Sequence, residues 1–415
     1  MRLFLLEFKR VLETRITWIL LIAAIILSVL CAWLPVTFEQ VVYLDESGQE
    51  VKLKGLQAVK YYQQYNDELY GEVTPDLLMH AVISMQETLE EYDSEYGENV
   101  PAAQYYEKIA PFLPFKNRAA EALANRENGI APGINEINAS DLTDFYSLLE
   151  SRLSSIMRME NKAYPAAEID ALKKFSSVKT PYMYYYGVGR DSFDYETILI
   201  LLITLICVTI SAPVFSSDYQ TGADEIQRCA KHGSTRLAFT KILAALLISS
   251  LAFCICLGLW IGVTRFFFGP LGNKTSMQML FSATNLKPWN AGQLQRNIML
   301  YSLLFLICSI CFTLLLSSQL RSNVVAVAGS LGAAVLPMIA YIAIPEKIEG
   351  WVQCLLPSGG IGLSNSLLYM LADYNYLHIG SKSFWNVDIL VFVTAMETVL
   401  FAAMTIISYR RQHGE

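Results

Sequence analysis

Six runs of about 20 apolar residues, separated by polar stretches, constrain this chain more than any other feature. At 1.5 Å of rise per residue, each run can cross a hydrocarbon core ~30 Å thick as a helix. The runs fall at 16–36, 196–215, 239–263, 298–318, 324–344 and 387–408. Inside a bilayer each backbone N–H and C=O needs a partner within the protein, which favours helices over open strands. The expected fold class is therefore an all-α polytopic membrane protein with six transmembrane helices. Of the 415 residues, 53% are hydrophobic, and their gathering into blocks points the same way.

The stretch 37–193, between the first and second runs, is different material. It holds 25 acidic residues against 14 basic ones, so the rest of the chain is net basic although the whole carries −7. It contains no run long enough to span, and it is long enough to form a domain. Apolar residues recur at three- and four-residue spacing in 55–71, 75–97 and about 141–175, with Pro75 and Pro165 near helix starts. This predicts a large, mostly helical extracytoplasmic domain between the first two spans. The Gly-, Pro- and Asn-rich stretch 129–140 reads as a loop. Tyr182, Tyr184, Tyr185, Tyr186 and Tyr195 read as an aromatic belt at the outer headgroup level. No cysteine lies between Val36 and Phe193, which excludes a disulfide framework there.

The expected plan is then an amphipathic helix and first span at 1–36, the outer domain at 37–193, and a five-span membrane domain at 194–415. In the first 15 residues, Leu5, Phe8 and Leu12 share one helical face, as in a helix lying on the inner membrane surface. Within 346–372, the stretch 356–371 is too short and too glycine-rich for a span, and the segment reads as re-entrant or interfacial. Basic residues at Arg2, Lys9, Arg10, Arg15, Arg228, Lys231, Arg236, Arg321, Arg410 and Arg411 place both termini on the cytoplasmic side.

Chemical motifs are sparse. The chain has no Gly-x-x-x-x-Gly-Lys-Ser/Thr phosphate loop, no His-Glu-x-x-His zinc pair and no Gly-x-Ser-x-Gly nucleophile turn. No catalytic residue or metal ligand is expected, and the net charge gives no basis for nucleic-acid binding. One ionisable residue stands inside a span. Glu397 lies near the centre of the sixth, where a charge costs ~2.5–3.5 kcal/mol on insertion scales. It reads either as a residue of a translocation path or as a hydrogen-bonded packing residue.

The longest polar, basic stretch between two spans is 215–241, FSSDYQTGADEIQRCAKHGSTRLAFTK. Ser216, Ser217 and Asp218 can cap a helix start and Gly233 can end it, which predicts one short cytoplasmic helix. Its Phe-x-x-acid-x-x-x-Gly pattern, followed by a glycine turn and a lysine at the next span, resembles the membrane subunit of a type-2 ABC exporter. The matching positions are Phe215, Asp218, Gly222, Glu225, Ile226, Gly233 and Lys241, with Arg228 and Arg236 as further polar candidates. One position departs: Ser234 follows Gly233 where family members carry a base, and Arg236 lies two positions on.

The resemblance implies that 215–241 is a coupling segment docking into a separate ATPase subunit. It also implies two permease subunits, as homodimer or heterodimer, in a lipid bilayer, with the bacterial cytoplasmic membrane the expected location. ATP and Mg would sit on the partner subunit, and this chain would bind no cofactor. An alternative function, on the residues alone, is a membrane-anchored receptor or scaffold whose outer domain binds a ligand without transport.

Overall fold

The computed structural model describes residues 2–65, 67–228 and 235–411. In chain order, α1 is Arg2–Leu12 and α2 is Arg15–Phe38. Six helices between the first two spanning ones follow among the described residues: α3 Leu56–Tyr65, α4 Pro75–Glu91, α5 Ala102–Lys108, α6 Leu113–Ala122, α7 Phe145–Glu160 and α8 Pro165–Phe175. Next come α9 Arg190–Ser211, α10 Pro213–Thr221, α11 Ala223–Arg228, α12 Thr235–Phe268, α13 Met277–Leu280 and α14 Ala291–Gln319. The last are α15 Asn323–Ala343, α16 Glu346–Cys354, α17 Leu367–Ala372 and α18 Asn386–Arg411. Among the described residues, six helices are long and apolar enough to cross a membrane: α2, α9 with its continuation α10, α12, α14, α15 and α18.

The chain is mostly helical but not all-helical. Three two-stranded antiparallel ribbons are present: β1 (Gln40–Leu44) with β2 (Glu50–Lys54), β3 (Gly71–Val73) with β4 (Tyr182–Tyr184), and β5 (Tyr376–Ile379) with β6 (Lys382–Trp385). The first turn explains its own ribbon. The Asp45 carboxylate accepts from the Ser47 and Gln49 N–H groups, and Gly48 takes φ +77°, favourable only without a Cβ.

Two of the helices between the first two spanning ones start where proline directs. Pro75 is the first residue of α4, behind a Thr74 side chain that accepts from Leu77 N–H, and Pro165 opens α8. The core of this region is not made by 37–193 alone. Met279 and Ala283, from the connection after α12, lie in the same buried cluster as Leu78, Phe115, Phe145 and Tyr182. Arg118 of α6 holds that connection by donating to the carbonyls of Gln278 (3.1 Å) and Phe281 (2.5 Å). Helix α7 joins two cores. Phe145 and Leu149 belong to the cluster with Leu78 and Phe115, while Leu153 and Met157 belong to the cluster that continues into the spans. Gly187 and Gly272 cross with their Cα atoms in contact, and a Cβ on either would meet the other's Cα at 2.5 Å.

Tyr182 is no belt residue. It is fully buried in the cluster with Leu78, Phe115 and Phe145, and its hydroxyl donates to the Ala283 carbonyl (2.7 Å). A protein carbonyl takes the place that water would have at a headgroup surface.

The segment after α15 doubles back into the bundle. Between α16 and α17, Ser358 donates to the Ala334 carbonyl (3.0 Å), Ser309 donates to the Pro357 carbonyl (3.2 Å), and Gly360 lies against the Phe305 ring. Ala334 stands nine residues before the end of α15, the end from which the segment leaves. At 1.5 Å per residue the turn reaches roughly 14 Å back along α15, about half a bilayer core.

Candidate functional site

The polar stretch after the second span builds two unlike surfaces. Helix α9 does not end there. It bends at Ala212–Pro213 and continues as α10, so Ser216, Ser217 and Asp218 lie inside a helix and not at a cap. Pro213 has no N–H and disturbs the ladder one turn on. The Phe215 and Ser216 N–H groups instead donate to Ser317 Oγ, each at 3.1 Å. Gly222 ends α10 in the left-handed conformation, φ +69°, and the chain turns into α11. The one short helix expected over this stretch is therefore broken in two at Gly222. Gly233, with Lys231 and His232, lies outside the described residues, and so does the Arg228 side chain.

Three of the expected surface contacts are buried instead. Phe215 is 0% exposed and packs on the Tyr409 ring at 5.4 Å. Asp218 accepts from Arg10 Nη1 (2.6 Å) on one carboxylate oxygen and from Lys241 Nζ on the other. The Lys241 side chain is 0% exposed and the Asp218 side chain 8%. Lys241 also donates to Gln227 Oε1 (3.1 Å), and its ammonium stands 5.3 Å from the Phe215 ring centroid and 5.8 Å from that of Tyr409. Arg10 pairs with Glu7 (2.9 Å) and donates to the Val214 carbonyl (3.0 Å). Two cations thus face two carboxylates, and the hub has no net charge to strand in a low-dielectric setting.

The hub joins five elements to α10. Helix α1 enters through Arg10, α12 through Lys241, α18 through Tyr409, α14 through Ser317, and α15 through Asn323, whose Oδ1 accepts from Ser216 Oγ (2.7 Å). Gln220, Thr221, Gly222, Glu225, Ile226 and Arg236 are exposed. Ile226 is 78% exposed and stands at the tip.

Sequence reasoning missed Glu7, Arg10, Gln227, Ser317, Asn323 and Tyr409. Only the first two had a signal. Glu7 and Arg10 are opposite charges three residues apart, Glu7 the one acidic residue of the helix, and they mark a face that must find polar partners. Helix α1 accordingly buries Glu7 and leaves Leu5 and Leu6 more than half exposed, turning its apolar side away from the protein.

The chain matches the family model described as ABC-2 family transporter protein over residues 1–412. The chain belongs to the ABC-2 family. As an ABC-2 permease it is an integral membrane protein and the membrane component of an ABC transporter, not itself the ATPase. The family in general pairs its permease with an ATPase subunit. Neither the curated proteins nor the solved structures give a match.

Glu397 lies apart from the hub, at the contact of α18 with α14, and its Oε2 accepts from the Cys308 thiol at 3.8 Å. Its helix neighbours Phe392, Met396, Val399 and Leu400 are exposed. Glutamine keeps both the shape and an acceptor for that thiol. Glu397→Gln is therefore expected to leave transport within about twofold of wild type, measured in vesicles at matched protein level. A loss of tenfold or more would place Glu397 on the translocation path.

Proposed function

We propose that this permease is the translocating part of an exporter, driven by a separate ATPase that docks on the exposed ridge from Gln220 to Ile226. The observation that carries this reading is the contrast within one short stretch. Ile226 stands out from the tip, while Phe215, Asp218 and Lys241 anchor the base inside the bundle. A push on α11 is taken up by α10 and passed to α1, α12, α14, α15 and α18 through packed side chains, as mechanical coupling requires. ATP and Mg act on the partner subunit. Two permease subunits, identical or different, form the working complex.

On this reading the ridge and both termini face the cytoplasm of a bacterial cell, and the outer helices lie beyond the cytoplasmic membrane. The segment 346–372 is re-entrant, entering from the outer side and returning to it. Single cysteines test the orientation. Ser47, exposed in the first hairpin, and Thr221, exposed at the ridge, take the substitution without loss of packing. An impermeant maleimide is expected to label S47C in intact cells and T221C only after permeabilisation. Labelling of both from one side would refute the topology.

The function itself is tested by co-purification. A tagged full-length chain is expected to bring down an ABC ATPase, and the pair in vesicles to hydrolyse ATP in step with transport. Failure of any ATPase to associate, with a ligand held by the outer helices, would favour a receptor or scaffold.

A further inference from the structure

A cavity of about 920 Å³ is lined by α7, the start of α8 and the turn that joins them. That is the size of sites that hold drug-sized molecules. Its charged lining is Arg126, Arg158, Lys162 and Glu168, three cations against one carboxylate. The segment 37–193 around it is net acidic, so the cavity carries the opposite sign to its surroundings.

Glu168 answers only one of these cations. Arg158 Nε donates to both of its carboxylate oxygens, at 3.0 and 3.1 Å. Arg126 donates to backbone carbonyls instead, those of Ala122 (3.0 Å), Ala124 (3.4 Å) and Leu148 (3.4 Å), and pairs with no carboxylate among the described residues. Burial and the neighbouring Arg152 guanidinium push Arg126 below the usual arginine range, which a bound anion would relieve. Lys162 is exposed on the turn, also without an ion-pair partner among the described residues. Ser151, Ser154 and Ser155 line the cavity from α7, and each has given its proton away: to the Leu148 carbonyl (3.0 Å), to Glu168 Oε1 (2.6 Å) and to the Arg152 carbonyl (2.7 Å). What they offer a ligand is lone pairs. Met157, Met159 and Tyr164 add apolar surface, and Tyr164 is held by stacking on the His378 ring, with centroids 3.6 Å apart.

We propose that this cavity binds a short peptide by its free C-terminal carboxylate. Arg126 and Lys162 take the carboxylate, the serine hydroxyls accept from amide N–H groups, and Met157, Met159 and Tyr164 receive an apolar side chain. Each kind of lining finds its complement in that one ligand. A carboxylate takes charge-assisted bonds from a guanidinium and an ammonium. Amide N–H groups supply the donors that the serine lone pairs lack. Inorganic phosphate brings acceptor oxygens, which would face those lone pairs across the serine wall. A fatty acid would use the arginine and the methionines but give the serines no donor. The site stands whether or not the chain exports, and whichever side of the membrane it faces.

The test uses the purified full chain in detergent. It is mixed with a random tetrapeptide pool carrying free carboxylates and an equal pool of C-terminal amides, then passed through gel filtration. Mass spectrometry reads the retained peptides, with empty micelles as background. The free acids are expected to be retained at least about fivefold over the amides, with apolar last residues enriched. Lys162→Glu, on an exposed turn where no core packing is at stake, is expected to abolish that preference. Arg126→Gln, first confirmed as folded, is expected to do the same. Inorganic phosphate and decanoate at the concentration of the pool are expected to displace little. Equal retention of acids and amides would overturn the proposal. So would an unchanged preference in Lys162→Glu or in folded Arg126→Gln, or displacement of the peptides by phosphate or decanoate.

Discussion

Asp218→Ala is expected to unfold or detach the hub, and to be the most damaging single change in it. The substitution leaves the ammonium of Lys241, whose side chain is 0% exposed, without its carboxylate. Removing one partner of a buried pair costs roughly 3–5 kcal/mol. Gln227 and the two rings still face Lys241, which places the loss near the lower end of that range. Arg10 loses its 2.6 Å contact as well, so α1 is expected to become accessible to protease. Lys241→Met should be milder, because Asp218 keeps Arg10. The double variant Asp218→Leu/Lys241→Met removes both buried charges and is expected to recover much of the stability that Asp218→Ala loses. Melting curves in detergent and limited proteolysis measure all three. An Asp218→Ala protein as stable as wild type, or a double variant worse than it, would show that the pair does not hold the hub.

The spans were legible because the signal is local. Twenty apolar residues in a row have few ways to satisfy their backbone in lipid, so the runs at 196–215 and 239–263 fell within the observed helices Arg190–Thr221 and Thr235–Phe268. Periodicity also found α3, and it found α4, α7 and α8, whose buried faces repeat every three or four residues. It missed the three ribbons: β1–β2 and β5–β6 are hairpins of only four or five residues a strand, too short for a clear alternation, and β3–β4 is held by a partner far away in the chain. Val73 pairs with Tyr182 across more than a hundred residues, and Tyr182 in turn bonds Ala283. No window of sequence contains both ends of such a contact. The same distance hid the hub. Asp218 was singled out from a resemblance and Lys241 from its place before a span, but Arg10 lies 208 residues from its partner. Where local pattern misled, a tertiary partner had replaced a local one. Ser216 and Asp218 look like cap residues, yet Ser317 from another helix supplies the acceptor, and the helix runs on to Gly222.

Ile226→Asp is expected to separate docking from folding. Ile226 is 78% exposed, so the free permease should lose no stability when a carboxylate replaces it. If the partner ATPase buries this side chain, the lost apolar contact is worth about 1.5–3 kcal/mol, or roughly 10- to 150-fold in affinity. An unpaired carboxylate in the interface adds to that loss. Gly222 gives the complementary test, through backbone and not contact. A Cβ built there meets nothing within 4 Å, so space is not the constraint; φ +69° is. Valine in that conformation costs at least about 1–2 kcal/mol and should relax by swinging α11 out of line, whereas asparagine tolerates it. Gly222→Val is therefore expected to uncouple hydrolysis from transport, and Gly222→Asn to work nearly as wild type. The readouts are melting of the permease alone, co-purification of the ATPase, and substrate-stimulated hydrolysis in vesicles. Full co-purification and normal stimulation with Ile226→Asp would remove the ridge as the docking surface. Equal behaviour of the valine and asparagine variants would mean that the left-handed turn does not set the angle of α11.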